Sequence, residues 1–188
     1  MAPPELRGEE VLLRAVRPGD ADDRRRHGWN AEIERCYGHE TDDGPMTQAQ
    51  AQTWLDACEA AQVDGHHWIV DVGGSAIGEA FLQRVDQTRD LRGSYAVGLF
   101  DPGMLGRGIG RDVTRTVLAH AFDTLGLHRV DLRVLEFNTR AIASYRSSGF
   151  VEEGRERESC RLGGRWYDDI MMSVLDREFY AVRGRVGT

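Results

Sequence analysis

The chain contains no lysine; all 24 positions of the lysine–arginine class are arginine. That absence excludes two chemistries. A P-loop sets a lysine on its phosphates, and a pyridoxal enzyme holds its cofactor through a lysine Schiff base. The arginine-only usage reads as base composition of the gene rather than as a functional feature. Cysteine is nearly as scarce. Cys36, Cys58 and Cys160 are odd in number and far apart. Such spacing excludes a disulfide framework and a zinc site with paired ligands, so small buried or half-buried thiols are expected and no metal. Apolar runs are short: none approaches the roughly 20 residues of a membrane helix. The opening "MAPPELRGEE" lacks the apolar stretch of a signal peptide. A cytoplasmic protein without membrane contact is therefore expected. Positive charge is in deficit, with a formal net charge of -7. Nucleic acid is not an expected partner, and cationic ligands suit that field better.

What remains is an ordinary globular composition, with 40% apolar and 29% charged residues in 188. That length suits one domain with one sizeable core. Its core is expected at 11–175. The C-terminal tail at 176–188 ends in "AVRGRVGT", which reads as loose. Val11–Pro18 reads as a first strand, and a polar helix follows from Gly19. His39–Pro45 is a loop. Thr47 and Gln50 have the spacing of a capping box. Behind them Trp54, Leu55, Cys58 and Ala61 share a helical face. "HWIVDV" and "SAIGEAFLQRV" flank Gly73-Gly74 as a hairpin, and Leu91–Phe100 is the next strand. Val113, Val117, Leu118, Ala121, Phe122 and Leu125 make one helical face, closed by Gly126. "HRVDLRVL" alternates as a strand. A short helix over "NTRAIASYRSSGF" precedes two final strands around Gly163-Gly164. This order predicts a single α/β domain around a mixed sheet.

The densest glycine lies in "DPGMLGRGIGRDVTRTVLAHAF", Asp101–Phe122. Gly106, Gly108 and Gly110 alternate directly before a helix, with Arg107 and Arg111 beside them. Glycine is costly there unless something approaches the backbone closely. Several N–H groups at a helix start, aided by the helix dipole, suit a phosphate or pyrophosphate. The dinucleotide fingerprint fails, because the residue three past Gly108 is Arg111.

About thirty residues on, Asn138, Ala141, Tyr145 and Gly149-Phe150 form a second pattern. With both patterns in place the chain resembles the GCN5-related N-acetyltransferase superfamily. "LGRGIG" resembles its phosphate signature, with Leu105 where an arginine or glutamine is usual. "NTRAIASYRSSGF" matches each key position of its later signature. The likeness runs from about Val11 to Leu175. The "DP" before the loop and the ending "GFVEEGRERES…GGRWYDDIMMSVLDREF" resemble the branch of ribosomal-protein N-terminal and spermidine acetyltransferases. The fold so implied is a mixed β-sheet splayed at its centre, with flanking helices.

The resemblance implies acetyl-CoA as co-substrate. Its pyrophosphate would lie on the N–H groups of Leu105, Gly106, Arg107, Gly108, Ile109, Gly110 and Arg111. Its pantetheine arm would run along the strand ending at Leu99 and Phe100, with Asn138 touching the arm. A backbone N–H near Leu99 would polarise the thioester carbonyl. Tyr145 stands where the family has the acid that protonates the leaving thiolate. The family's glutamate base aligns with Tyr95 and does not carry over. Glu79, mid-strand on one face with Ile77 and Phe81, is the substitute, with a water chain as the other option. Glu40, Asp42 and Asp43 lie in the loop where relatives shape the acceptor pocket. His39-Glu40 lacks the second histidine of a zinc helix, and His66-His67 reads as a strand entry. The acid balance and acidic loop favour a small cationic amine, a polyamine or an aminoglycoside-like antibiotic, as acceptor. A protein N-terminal amine is the alternative, and a non-catalytic acyl-CoA-binding module the third reading. A homodimer stays open.

Overall fold

The structure, a computed structural model, describes residues 2–62 and 65–186. One mixed eight-stranded sheet in the order β1-β2-β3-β4-β5-β6-β8-β7 carries helices on both faces. Its strands are β1 (Leu6–Arg7), β2 (Leu12–Arg14), β3 (His67–Val72), β4 (Ser75–Asp86), β5 (Arg92–Leu99), β6 (Arg129–Leu135), β7 (Val151–Leu162) and β8 (Arg165–Leu175). The α-helices are α1 (Asp20–His27), α2 (Ala31–Cys36), α3 (Gln48–Ala61), α4 (Ile109–Ala119), α5 (Thr139–Ser147) and α6 (Asp176–Val186). Neighbouring strands run antiparallel except β5 and β6, which are parallel.

That parallel pair is the feature on which the site depends. β5 and β6 are bonded only at Arg92–Arg129, Gly93–Val130 and Ser94–Asp131. Beyond Ser94 the strands part, so Tyr95 to Leu99 keep β4 as their one sheet partner. Sheet twist rotates neighbouring strands, and a short parallel register with nothing bridging its end lets them separate. The sheet is splayed at its centre, as the family resemblance implied.

The main core lies between the sheet and α4 and α5. Val113, Val117 and Leu118 of α4 and Ile142 of α5 are buried there against Val70, Leu82, Val130 and Met172. Each such side chain contributes roughly 1.5–3 kcal/mol by leaving water. The opposite face is covered by α1 and α3, with Ala51, Leu55 and Cys58 pointing inward. Thr47 and Gln50 form the expected capping box. Ala61 is exposed and Gln62 takes the buried place at the helix end.

Three polar ties hold the layers. Arg14, fully buried, donates both guanidinium ends to Asp20 at 2.8 Å and its Nε to Asp71 at 2.7 Å. Asp23 accepts the Ala76 N–H at 2.7 Å, linking α1 to β4. Asp112, in the first turn of α4, accepts the N–H groups of Glu9, Glu10 and Val11. It also explains Gly8, where a Cβ would lie 2.5 Å from the carboxylate.

Several sequence expectations change. The first strand, expected over 11–18, is Leu12–Arg14 with β1 before it, and α2 is a further helix beyond those expected. The segment from Ala181 is helical through Val186, because α6 docks Phe179 against the core and Glu178 accepts the Leu175 N–H; the last two residues of that expected loose tail lie outside the described residues. Ile77 does not share the face of Glu79. The register skips from Val70–Gly78 to Asp71–Ala76, so Ile77 is the extra residue of a bulge. It joins Ala80 and Leu82 in the main core, while Glu79 faces α3.

Candidate functional site

The splay opens a cleft of about 820 Å³ between β5, β6, α2, α4 and α5. At one end is the glycine loop. Asp101 caps a short 3-10 turn at Pro102–Met104, and the chain then turns through Gly106 at φ 74° and Gly108 at φ 88°. Only glycine adopts those angles without strain. Gly108 is the N-cap of α4, and the first helical bond runs from Asp112 N–H to the Gly108 carbonyl. The N–H groups of Ile109, Gly110 and Arg111 are therefore the unpaired donors of a helix start. Gly110 has open space where a Cβ would be. Tyr95 fixes this turn to β5. Its hydroxyl meets Thr114 Oγ1 at 3.1 Å, and Thr114 in turn donates to the Gly110 carbonyl at 2.7 Å. Burial raises the Tyr95 phenol well above the ordinary tyrosine range, so it is a packed donor and not a base.

Leu99, Leu105, Gly106, Arg107, Gly108, Gly110, Arg111 and Asn138 all line the cleft. Phe100 and Ile109 do not. Phe100 turns to the α3 face, edge-on to Trp54 with Arg24 over its ring, and Ile109 is buried in the main core. Asn138 caps α5 by accepting the Ala141 N–H at 3.2 Å. Arg133 and Arg140 add positive charge to the lining.

Tyr145 enters from α5, packed edge-on to Tyr95 and tilted against Phe150. No described residue hydrogen-bonds its hydroxyl, and the ring lines the cleft while 8% exposed. Burial raises its pKa, and Tyr37 raises it further. It is therefore a neutral phenol throughout the ordinary pH range, and its proton is the one that a thiolate forming beside it would need.

Glu79 lies outside the cleft lining. Its carboxylate accepts Trp54 Nε1–H at 2.6 Å, meets His67 Nε2 at 2.8 Å and accepts from Cys58 Sγ at 3.4 Å. Burial alone would raise its pKa, but these partners outweigh it and hold the acid below the usual range. Cys58 Sγ, His67 Nε2 and a Glu79 oxygen lie within 4.8 Å of one another, near enough to share a metal ion. Both partners bond the carboxylate, burial pushes the Cys58 thiol far up, and His67 Nδ1 is buried without a hydrogen-bond partner.

The acidic loop is distributed differently from expectation. Glu40 accepts the Gly163 N–H of the β7–β8 hairpin, and Asp43 accepts the Ala31 N–H at 2.7 Å at the start of α2. Asp42 is exposed. None of the three lines the cleft; its one acidic side chain among the described residues is Asp169. Asp169 pairs with Leu135 on the sheet face covered by the end of α2. Burial raises its pKa, with Ser159 and Arg133 opposing. No local pattern marks it, because Asp168-Asp169 in an alternating strand looks the same whichever residue faces the cleft.

A GNAT acetyltransferase domain model matches residues 10–151, and the chain belongs to that family. The donor in this family is acetyl-CoA. A mycothiol acetyltransferase from Salinispora tropica is 35% identical over 156 residues, 75% of this chain and 45% of that protein. A spermidine N(1)-acetyltransferase from Vibrio cholerae is 33% identical over 78 residues, 42% of this chain and 45% of that protein. The chain thus spans about half the length of the curated relatives it matches. In fold, it is similar to an acetyltransferase from T. thermophilus at TM-score 0.80 and 23% identity, covering 98% of this chain and 96% of that one. It is also similar to the V. cholerae spermidine N-acetyltransferase in complex with CoA and spermine, at TM-score 0.73 and 22% identity, covering 91% and 98%. Among the described residues no helix is long and apolar enough to cross a membrane.

Proposed function

We propose that the chain is an acetyl-CoA-dependent N-acetyltransferase whose acceptor is a small cationic amine. The observation that carries this reading is the splayed cleft itself: bare helix-start N–H groups at one end, Tyr145 and Asp169 further along. The pyrophosphate sits on the Gly106–Arg111 turn, and the pantetheine arm takes the place of β6 beside Tyr95–Leu99. The amine approaches from the α2 side and is held by Asp169.

Only about one alkyl amine in a thousand is neutral at pH 7. The neutral form attacks the thioester carbon and its surplus proton leaves to water. The anionic Glu79 aids that departure at a distance, through water. The carbonyl then re-forms, the C–S bond breaks, and Tyr145 gives its proton to the thiolate. The phenol regains a proton from solvent.

The mycothiol acetyltransferases favour a second acceptor, a mycothiol-type small molecule. A panel of amines with acetyl-CoA, read by release of the CoA thiol, tests both. Turnover with polyamines and indifference to peptide N-termini supports the first reading. Turnover confined to the mycothiol precursor, with none on polyamines or aminoglycosides, supports the second, and turnover only with peptide N-termini overturns both.

A further inference from the structure

The N–H groups of β5 alternate in direction. Phe100 donates to the Ile77 carbonyl of β4 at 2.9 Å. The N–H of Leu99 therefore points the other way, into the gap left by β6. It is already occupied: the hydroxyl oxygen of Tyr37 accepts it at 3.0 Å.

Tyr37 follows the last turn of α2 and lays its ring across Gly98. A Cβ on Gly98 would stand 3.2 Å from the Tyr37 hydroxyl oxygen and 3.3 Å from its Cζ. Gly98 has no positive φ, so close approach of this ring, not backbone conformation, accounts for glycine there. The phenol uses its oxygen as acceptor, and its own proton has no acceptor among the described residues. Burial, with Cys36, Glu34 and Glu79 nearby, pushes Tyr37 up to about 12, so the proton is retained. Tyr37 thus reaches the cleft from the α2 face and Tyr145 from the α5 face.

We propose that Tyr37 is a further catalytic residue, the side-chain half of a two-donor oxyanion site whose backbone half is the Leu99 N–H. The proposal rests on acetyl-CoA occupying the cleft. The phenol oxygen stands where the thioester carbonyl oxygen belongs. When the donor enters, its carbonyl oxygen takes the Leu99 N–H. The displaced phenol, with an unspent O–H and a ring still seated on Gly98, donates to the same oxygen. The amine lone pair then forms the N–C bond while the carbonyl π pair moves onto that oxygen. Two donors aimed there stabilise the developing charge more than the starting carbonyl, which is what raises rate rather than binding. Collapse returns the pair, breaks C–S and leaves sulfur to be protonated. The two tyrosines divide the work, one serving oxygen and one serving sulfur.

Tyr37→Phe keeps the ring over Gly98 and removes only the donor. Turnover should fall about a hundredfold, the usual loss for one such donor. Acetyl-CoA affinity by calorimetry should be equal or tighter, since nothing then competes for the Leu99 N–H. The infrared carbonyl stretch of bound acetyl-CoA should move back toward that of the free thioester. Loss of turnover with an unchanged carbonyl stretch would show that Tyr37 acts only through α2 packing and overturns the proposal. So would full turnover. Failure of the wild-type protein to bind acetyl-CoA overturns the cofactor reading instead.

Discussion

The Glu79 carboxylate takes the indole N–H of Trp54 at 2.6 Å, which fixes it on the α3 face of the sheet and outside the cleft lining. With His67 and Cys58 added, this acid is held as an anion below the usual carboxylate range. Such a group influences a distant amine by its charge and is a weak acceptor of the proton itself.

Glu79→Gln should therefore lower the maximal rate by roughly tenfold, less than the hundredfold or more expected of a direct base. The rising limb of the pH–rate profile should stay in place. Its pKa belongs to the amine, since Glu79 is already ionised throughout the neutral range. A limb displaced by the substitution would make Glu79 the direct base.

Asp169→Asn should raise the Michaelis constant of a cationic acceptor by about tenfold, equivalent to roughly 1.4 kcal/mol, and change little for a neutral amine. Because burial raises this carboxyl's pKa, the wild-type Michaelis constant should climb, as pH falls, sooner than an exposed aspartate would allow. Arg133 and Glu156 face the same group and set the remainder of its field. Equal Michaelis constants in the two proteins, measured by initial rates across pH, would remove the cationic-acceptor argument.

Gly110→Val tests the phosphate cradle without disturbing the fold. Gly110 has no positive φ and open space around its Cβ position, unlike Gly106 and Gly108, where any side chain is strained. Calorimetry should show acetyl-CoA affinity reduced tenfold or more, about 1.4 kcal/mol, with an unchanged melting temperature. Unchanged affinity would place the pyrophosphate elsewhere.

Arg14→Met addresses stability alone. It leaves Asp20 and Asp71 buried without their cation. Breaking such a pair typically costs about 3–5 kcal/mol. Urea denaturation should report a loss of that size, and a loss below about 1 kcal/mol would mean that water reaches both carboxylates.

The glycine turn, the α5 motif and nearly all strands were legible because each leaves a local pattern: positive-φ glycines, a capping asparagine, strict alternation. What escaped depends on contacts distant in sequence. Ile77 changes face through a bulge set by β3, which alternation within β4 cannot reveal. The C-terminal helix persists past Ala181 because Phe179 docks on Phe122. Tyr37 gains its position from Leu99 and Gly98, some sixty residues on. The acidic loop read as a binding element, yet Glu40 and Asp43 serve backbone N–H groups. Composition shows charge there but not which groups have already claimed it.

The central claim is acyl transfer in the splayed cleft with Tyr145 as the acid. Tyr145→Phe preserves the ring that packs on Tyr95 and Phe150 and removes only the proton. Single-turnover acetylation of the best amine from the panel, measured beside acetyl-CoA binding on the same protein, tests it directly. The account predicts a rate lower by roughly a hundredfold with binding unchanged. An undiminished rate would contradict it.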